Sequence, residues 1–568
     1  MKSKSINDRQ IFLAPIAALA AAAALILSSC NPAPKYAKPP VNSPQAFKES
    51  APDQFKEGIG WKVAQPGDDK IRGKWWEMYN DPLLNSLEEQ VQISNQSVIQ
   101  AEANYRAARA LVVSARSSLF PVISSSPSYA NARYSSTART TILSGTTTTT
   151  GTTGGTTSTT TGTGTTTTGS TSTGTTTGST TSSTSTTSGT GGGGGSGPGI
   201  INTFSLPFEV TYTVDFWHKI RNEVAANVYS AQASAADIAT ALLSTQSALA
   251  QDYFEVRALD AEEGVLQDTL KNYRESLKLA QILFNTGIDS EEDVAQAQTQ
   301  LDTALAQTSD VGVARAQYEH AIATLVGKPA AEFSLPVAPF IANPPTVPVA
   351  VPSELLERRP DIAAAERQVA AANAQIGVAR AAYYPNLTLS ATGGFQTSHI
   401  ADWFTWPSRF WSLGPTLSQT LLDFGARRGA NEQAEAQYDA AVANYRQTVL
   451  SNFQTVEDQL SALRIYAQEV GQYETAIRSA SRYLELSLTR YKAGVDSYLS
   501  VISAQNSVLN SRETQVQTQL KQMTASVSLI MALGGGWDVS QLPQMKAMVQ
   551  KGARSSGSSG SALPTDSH

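Results

Sequence analysis

The stretch Phe204-Ser205-Leu206-Pro207-Phe208-Glu209-Val210-Thr211-Tyr212-Thr213-Val214-Asp215-Phe216 alternates. Phe204, Leu206, Phe208, Val210, Tyr212, Val214 and Phe216 fall on one face; Ser205, Glu209, Thr211, Thr213 and Asp215 fall on the other. A period of two belongs to a strand with one apolar and one polar face. Its length suits a membrane β-barrel with apolar residues outward and polar residues inward; a half-buried strand of a soluble sandwich would read the same way. A second run behaves alike, Leu387, Leu389, Ala391, Gly393 and Phe395 alternating with Asn386, Thr388, Ser390, Thr392 and Gln396. Weaker candidates near 119–134 and 410–424 bring the strands to four.

Past these strands the period changes. From Tyr438 the apolar or small positions run Val442, Tyr445, Val449, Phe453, Val456, Leu460, Leu463 and on to Leu488 and Tyr491, about 3.5 residues per step, which indicates a long, mildly supercoiled helix. A helix from Ala426 to Lys492 spans roughly 100 Å at about 1.5 Å per residue, and His218 to about Phe284 forms its equal. Helices of that length need lateral partners along their whole extent. Asn285-Thr286-Gly287 and Lys492-Ala493-Gly494 then stop them, Gly taking the left-handed position past a helix end. Asp289 and Asp496 are expected to cap the returning helices, and Asp289 with Glu292 fits a capping box.

These two halves are one unit written twice. Ala108–Arg116 leading into Leu119-Phe120-Pro121 matches Asn373–Arg380 leading into Tyr383-Tyr384-Pro385, at an offset of 264. Val214-Asp215-Phe216 matches Leu422-Asp423-Phe424 at 208, and Phe284–Asp289 matches Tyr491–Asp496 at 207. Leu325-Val326-Gly327 and Leu335-Pro336 have mates at the same relative places, Ala532-Leu533-Gly534 and Leu542-Pro543. The offset drops by the length of residues 144–199, which hold only Ser, Thr and Gly apart from Pro198. That tract is an insertion into the first repeat, with nothing able to bury a core. It is a solvated brush, an O-glycan acceptor or slack.

Composition excludes much else. Lys+Arg (42) falls below Asp+Glu (48), giving a net charge of -6, so no basic nucleic-acid footprint exists. One Cys forbids an internal disulfide and a thiolate zinc cluster, and four scattered His argue against a His-based metal or catalytic centre. No convergent acid/base or nucleophile set is visible, so an enzyme is not expected. The N-terminus carries Lys2, Lys4 and Arg9, then an apolar run from Ile11 to Leu27, then Leu27-Ser28-Ser29-Cys30. A charged start, an apolar stretch and small residues make a signal peptide; the alternative is an uncleaved anchor helix with an incidental Cys. Four strands per chain cannot close a barrel, and an open edge in lipid leaves backbone groups unpaired at several kcal/mol each. Three chains would supply twelve strands, continued by a hollow cylinder of helices.

The chain resembles the outer membrane factor family, the TolC-like channels of tripartite efflux and type I secretion systems, and most of all its lipoprotein branch serving RND-type efflux pumps. The carrying motifs are Trp75-Trp76 with Asp81–Leu87, Leu356-Glu357-Arg358-Arg359-Pro360-Asp361 through Glu366, Tyr491–Leu499 and Leu533-Gly534-Gly535-Gly536-Trp537. The resemblance covers roughly 30–140 and 200–545. It implies a homotrimer combining an all-α part with a membrane β-barrel: a 12-stranded outer-membrane barrel, a periplasmic α-helical barrel and a mixed equatorial belt. It implies passive conduction of drugs or other small molecules from an inner-membrane pump, with a periplasmic adaptor docking on the hairpin tips. Type I protein secretion is the alternative, and a surface adhesin or stalk a distant one. Cys30 then stands in a lipobox as the lipidated first residue, with no other cofactor, and Asn31 after it favours the outer membrane.

The expected organisation is a signal peptide at 1–29, a tether and equatorial segment at 30–74, a helix at 75–118, a hairpin at 119–216 and a long helical hairpin at 217–327. An equatorial linker at 328–352 leads to the second helix, 353–382, hairpin, 383–424, and helical hairpin, 425–534, with an equatorial segment and flexible tail at 535–568. At the first tip Gly287, Asp289, Glu291, Glu292 and Asp293 make an acidic collar for adaptor docking and cation attraction, or simply cap a helix whose dipole favours acids there. At the second, Gly494 belongs to the same docking set, while Tyr491, Lys492, Asp496, Leu499, Ser503 and Asn506 are expected as periplasmic gate residues. By resemblance Leu499 is the constricting Leu, while Ser503 and Asn506 replace the usual Asp and Arg, so this pore is expected to open more readily. Arg358-Arg359-Pro360-Asp361 reads best as a helix start, Arg116 and Arg380 as structural or junction-lining mates. Trp403, Trp406 and Trp411 form an interfacial girdle or pack within their loop.

Overall fold

A computed structural model describes residues 31–41, 47–48, 73–133, 200–288, 290–345 and 358–543. The signal peptide, Cys30, the insertion at 144–199, Asp289, Leu356, Glu357 and the tail lie outside the described residues. The chain forms two units, one of residues up to Val122, Thr211–Leu389 and Pro415 onward, the other of Ile123–Val210 and Ser390–Gly414.

The first unit is helical. It comprises α1 (Pro82–Ser94), α2 (Gln96–Ser117), α3 (Lys219–Asn285), α4 (Glu291–Leu325), α5 (Pro360–Ala381), α6 (Ala426–Lys492) and α7 (Tyr498–Ala532). The long helices α3 and α6 have 67 residues each and the return helices α4 and α7 have 35 each. The single helix expected over 75–118 is instead a 3-10 turn at Trp75–Tyr79 followed by two helices. Asn95 makes the break: its backbone is extended, and its side chain accepts from Ser97 N–H at 2.9 Å and Val98 N–H at 3.2 Å, capping α2. Trp75, Trp76, Leu84, Leu87 and Val91 enter a core with Leu249, Tyr253 and Val256 of α3, Val449 and Val456 of α6, and Met523 and Leu529 of α7.

The duplication is visible bond by bond. Asn95 and its mate Arg359 stand just before α2 and α5; Asn95 Nδ2 donates to Leu325 O at 2.8 Å and Arg359 Nη1 donates to Ala532 O at 2.8 Å. Each thus ties the last helical carbonyl of the returning helix, a group the helix cannot satisfy itself. Beside them a Cβ on Gly327 would stand 2.4 Å from Ser94 O, and one on Gly534 2.2 Å from Arg358 O. The Arg-Arg-Pro-Asp segment is therefore a joint: Arg359 also forms a two-pronged pair with Asp361 at 2.9 and 2.8 Å, and Asn452 donates to that carboxylate at 3.0 Å. Burial alone would raise the Asp361 carboxyl, but the Arg359 and Asn452 bonds hold it below its ordinary value.

One buried charge network fastens the first hairpin. Asp260 accepts from Arg257 Nη1 at 3.0 Å, Arg315 Nε at 2.7 Å and Ala338 N–H at 3.2 Å. Arg315 also pairs with Glu319 at 2.6 Å, and the two arginines donate to the carbonyls of Pro336 and Leu335 at 2.7 and 2.8 Å. The clasp fastens the segment after α4 across α3 and α4. In the second repeat the mates of Asp260, Arg315 and Glu319 are Ala467, Gln522 and Ser526.

The second unit holds most of the sheet. Its strands are β1 (Val122–Ser125), β2 (Ser128–Arg133), β3 (Ile200–Val214), β4 (Asn386–Thr397) and β5 (Arg409–Ser418), in the order β1-β3-β4-β5, with β2 also on β3. β2 runs antiparallel to β3, Ser128 opposite Ser205 and Arg133 opposite Ile200. The expected first strand is thus broken at Ser126-Pro127, where Pro has no N–H to give the ladder. The strand expected over 410–424 ends at Ser418; Leu421, Leu422 and Phe424 beyond it are exposed. Trp403 stacks on Phe404 at 5.2 Å and packs on Phe204 at 5.6 Å, whereas Trp406 and Trp411 are exposed.

Candidate functional site

The hairpin tips begin with how α3 and α6 stop. At α3, Ile288 N–H donates to Leu283 O at 3.0 Å and Gly287 N–H to Phe284 O at 2.9 Å; at α6, Val495 N–H reaches Arg490 O at 3.0 Å and Gly494 N–H reaches Tyr491 O at 2.9 Å. This paired pattern is a Schellman motif, and it requires the positive φ seen at Gly287 (+74°) and Gly494 (+67°).

The caps differ from expectation. Ser290, not Asp289, caps α4: its Oγ accepts from Asp293 N–H at 3.2 Å and donates to Asp293 Oδ2 at 2.9 Å. The capping pair is thus Ser290 with Asp293, one residue along from the Asp289–Glu292 pair. Ser497 occupies the cap position of α7, and Asp496, one residue earlier, accepts from Ser500 Oγ at 2.9 Å and faces Arg490 Nε at 3.5 Å. Adjacent Asp-Ser pairs, Asp289-Ser290 and Asp496-Ser497, offer two candidate caps one residue apart, which is why spacing alone misplaced both.

Beneath the turns one core joins the two hairpins. Leu270, Tyr273, Leu277 and Ala280 of α3, Ala297, Leu301 and Ala304 of α4, and Tyr491, Tyr498, Val501 and Ile502 pack together. Tyr491 is therefore inside the tip, its ring 5.3 Å from Tyr498. Two polar ties cross the same core: Gln505 Nε2 donates to Ser276 Oγ at 2.8 Å, and Tyr273 OH donates to Asn506 Oδ1 at 3.2 Å. Burial pushes the Tyr273 and Tyr498 hydroxyls up to about 12, so both stay protonated donors. Sequence reasoning passed over Ser276 and Gln505; their signal was a polar residue at an inward position of an otherwise apolar stripe.

Most of the remaining tip residues are exposed. Leu499, Ser503 and Asn506 follow one another at helical spacing on α7; Leu499 and Ser503 are exposed and Asn506 is half-buried. Lys492, Glu291 and Glu292 are exposed, and Asp293 is half-buried by its cap. Ile282, Phe284 and Ile288 on one tip and Val495 and Leu499 on the other present apolar surface, so the tips are ringed by charge around an apolar end. Among the described residues no group of His, Cys, Asp and Glu is placed to hold a metal ion.

With this geometry in view, comparison with known proteins is direct. Residues 170–328 and 351–535 match the family described as outer membrane efflux protein. The chain is 28% identical to the pyoverdine export outer membrane protein OpmQ of Pseudomonas aeruginosa, over 91% of this chain and 96% of that one. It is 26% identical to the toluene efflux pump outer membrane protein TtgC of Pseudomonas putida, over 91% and 95%. The structure of the outer-membrane channel OprN superposes with a TM-score of 0.72 at 25% identity, covering 89% of this chain and all of that one.

Proposed function

The chain belongs to the outer membrane efflux protein family, and from that membership we propose that it is the exit channel of a tripartite efflux system. It resides in the outer membrane of a Gram-negative bacterium, with its helices in the periplasm. Three copies close the barrel, since the sheet β1-β3-β4-β5 ends in two unpaired edges that lipid cannot satisfy. The channel conducts small molecules passively; an inner-membrane pump of the RND type supplies the energy, and a periplasmic adaptor meets the hairpin tips. Cys30, acylated after signal cleavage, adds a lipid anchor.

The observation that carries this reading is the tip itself: two hairpins of equal helix length, locked by one core, ending in exposed Ile288, Val495 and Leu499 among Glu291, Glu292 and Lys492. Such an end is built to be met by another protein. Accumulation of a fluorescent dye in cells lacking this chain is the test. Raised accumulation, reversed by the wild-type gene, is expected. Unchanged accumulation with parallel channels also deleted overturns small-molecule efflux.

A further inference from the structure

The outer face of the sheet carries a notch that the channel function leaves unexplained. It lies wholly within the second unit and has a volume of about 590 Å³. Phe208 on β3, Phe395 on β4 and Trp411 on β5 wall it, and Gly393 on β4 forms part of its lining. These residues share the apolar parity of their strands, the side that meets lipid in a membrane barrel. Along β4 that side reads Leu389, Ala391, Gly393 and Phe395, so Gly393 is a gap beside Phe395, Phe208 and Trp411.

The rim is different chemistry. Arg409 opens β5, and its guanidinium lies over the ring of Trp406 in the preceding turn. A guanidinium over a ring keeps N–H groups free at its own edge, in the geometry that suits phosphate. Arg409 is the only charged side chain lining the notch and makes no ion pair among the described residues. Trp406 is 78% exposed, so a ring face remains open beside the cation.

Position along the chain decides which lipid this is. β3 runs into α3 and β5 runs into α6, so the β4–β5 turn holding Trp406 is at the strand end away from the helices. With the helices in the periplasm, that end faces outward. The outer leaflet of a Gram-negative outer membrane is built of acylated, phosphorylated glucosamine lipids. We propose that this notch is a binding site for such a glycolipid: one acyl chain lies in the slot over Gly393, a phosphate meets Arg409, and a sugar ring rests against Trp406. A phospholipid offers the acyl chain and phosphate but neither the sugar ring nor the leaflet.

The inference rests on the barrel reading, and one experiment separates the two. The assembled full-length channel is measured by native mass spectrometry with synthetic bisphosphorylated, hexa-acylated lipid A, and in parallel with phosphatidylglycerol. A Cβ at Gly393 meets Phe410 O at 3.7 Å and Trp411 Cβ at 3.9 Å, ordinary contacts, so Gly393→Leu fills the slot without shifting the sheet. Its neighbour would not serve, since a Cβ at Gly394 stands 2.1 Å from Leu206 O. Wild type is expected to retain lipid A in preference to phosphatidylglycerol, and Arg409→Gln and Gly393→Leu to weaken retention about tenfold each, the effect of losing a charge-assisted bond or the slot. Should Gly393→Leu fail to assemble, Arg409→Gln carries the test with lipid A lacking its phosphates. Equal retention of both lipids by wild type, or retention unchanged in Arg409→Gln, overturns the site. An absent oligomer overturns the barrel reading, whereas an intact oligomer without lipid overturns the glycolipid site alone.

Discussion

Glu88 of α1 is fully buried, and neither carboxyl oxygen has a hydrogen-bond partner. Desolvation pushes its pKa up to about 9 from 4.5, so the side chain is held neutral in the folded chain. The folded form binds the proton more tightly than the unfolded one. The stabilising contribution is therefore complete below about pH 4.5 and is lost as pH rises toward about 9, a decline on the order of 3 kcal/mol by pH 7. Glu88→Gln imitates the neutral acid without the titration. Its melting temperature should match wild type at pH 4 and exceed it at pH 8, and melting curves shifted equally at both pH values would refute the account. Nothing in the sequence marked this residue, because an acid on an otherwise amphipathic short helix reads as solvent-facing until its neighbours are known. The same blindness applied to Tyr491, grouped by motif with surface gate residues yet buried in the tip core.

At the scale of elements, period and stop signals were legible and joints were not. The 3.5-residue repeat over 442–491 and the Gly after it placed α6 and its turn, since both depend on neighbours in sequence. The breaks at Asn95 and Pro127 were missed: the first needs a cap geometry, and the second divides a strand that alternates poorly to begin with. The N-terminal strap is a further joint that only the fold reveals. Asn31 accepts from Asn222 Nδ2 at 3.2 Å, Asn373 Nδ2 donates to Pro34 O at 3.0 Å, and Tyr36 OH donates to Glu366. It crosses α5 at Gly377, where a Cβ would stand 2.5 Å from Ala33 Cβ and 2.6 Å from Asn222 Nδ2. In an isolated helix Gly→Ala stabilises by about 1 kcal/mol; here overpacking reverses the sign, at a cost of about 1–3 kcal/mol. Gly377→Ala should make residues 31–36 the first site cut in limited proteolysis, and a fragmentation pattern like wild type would count against the strap.

For the whole molecule, gating follows from what the second tip lacks. In the proposed channel Leu499, exposed at the tip, would be the apolar constriction, Ser503 one turn on carries no charge, and Asn506 is engaged with Tyr273 inside the chain. Channels in planar bilayers should therefore leak at rest, with Ser503→Asp lowering and Leu499→Ala raising the resting conductance several-fold. Equal leak in wild type and Ser503→Asp would remove the argument. The buried clasp of Arg257, Asp260, Arg315 and Glu319 bears on the same motion from the opposite end. It rivets one hairpin to the segment after α4 in each copy, while the other hairpin keeps an arginine, Arg464, at the place of Arg257 but has Ala467, Gln522 and Ser526 at the other three. A threefold tube assembled from such copies alternates two kinds of stave. Its neighbouring staves are equal in length yet fastened by different chemistry, so the sixfold look of the tube conceals a threefold one.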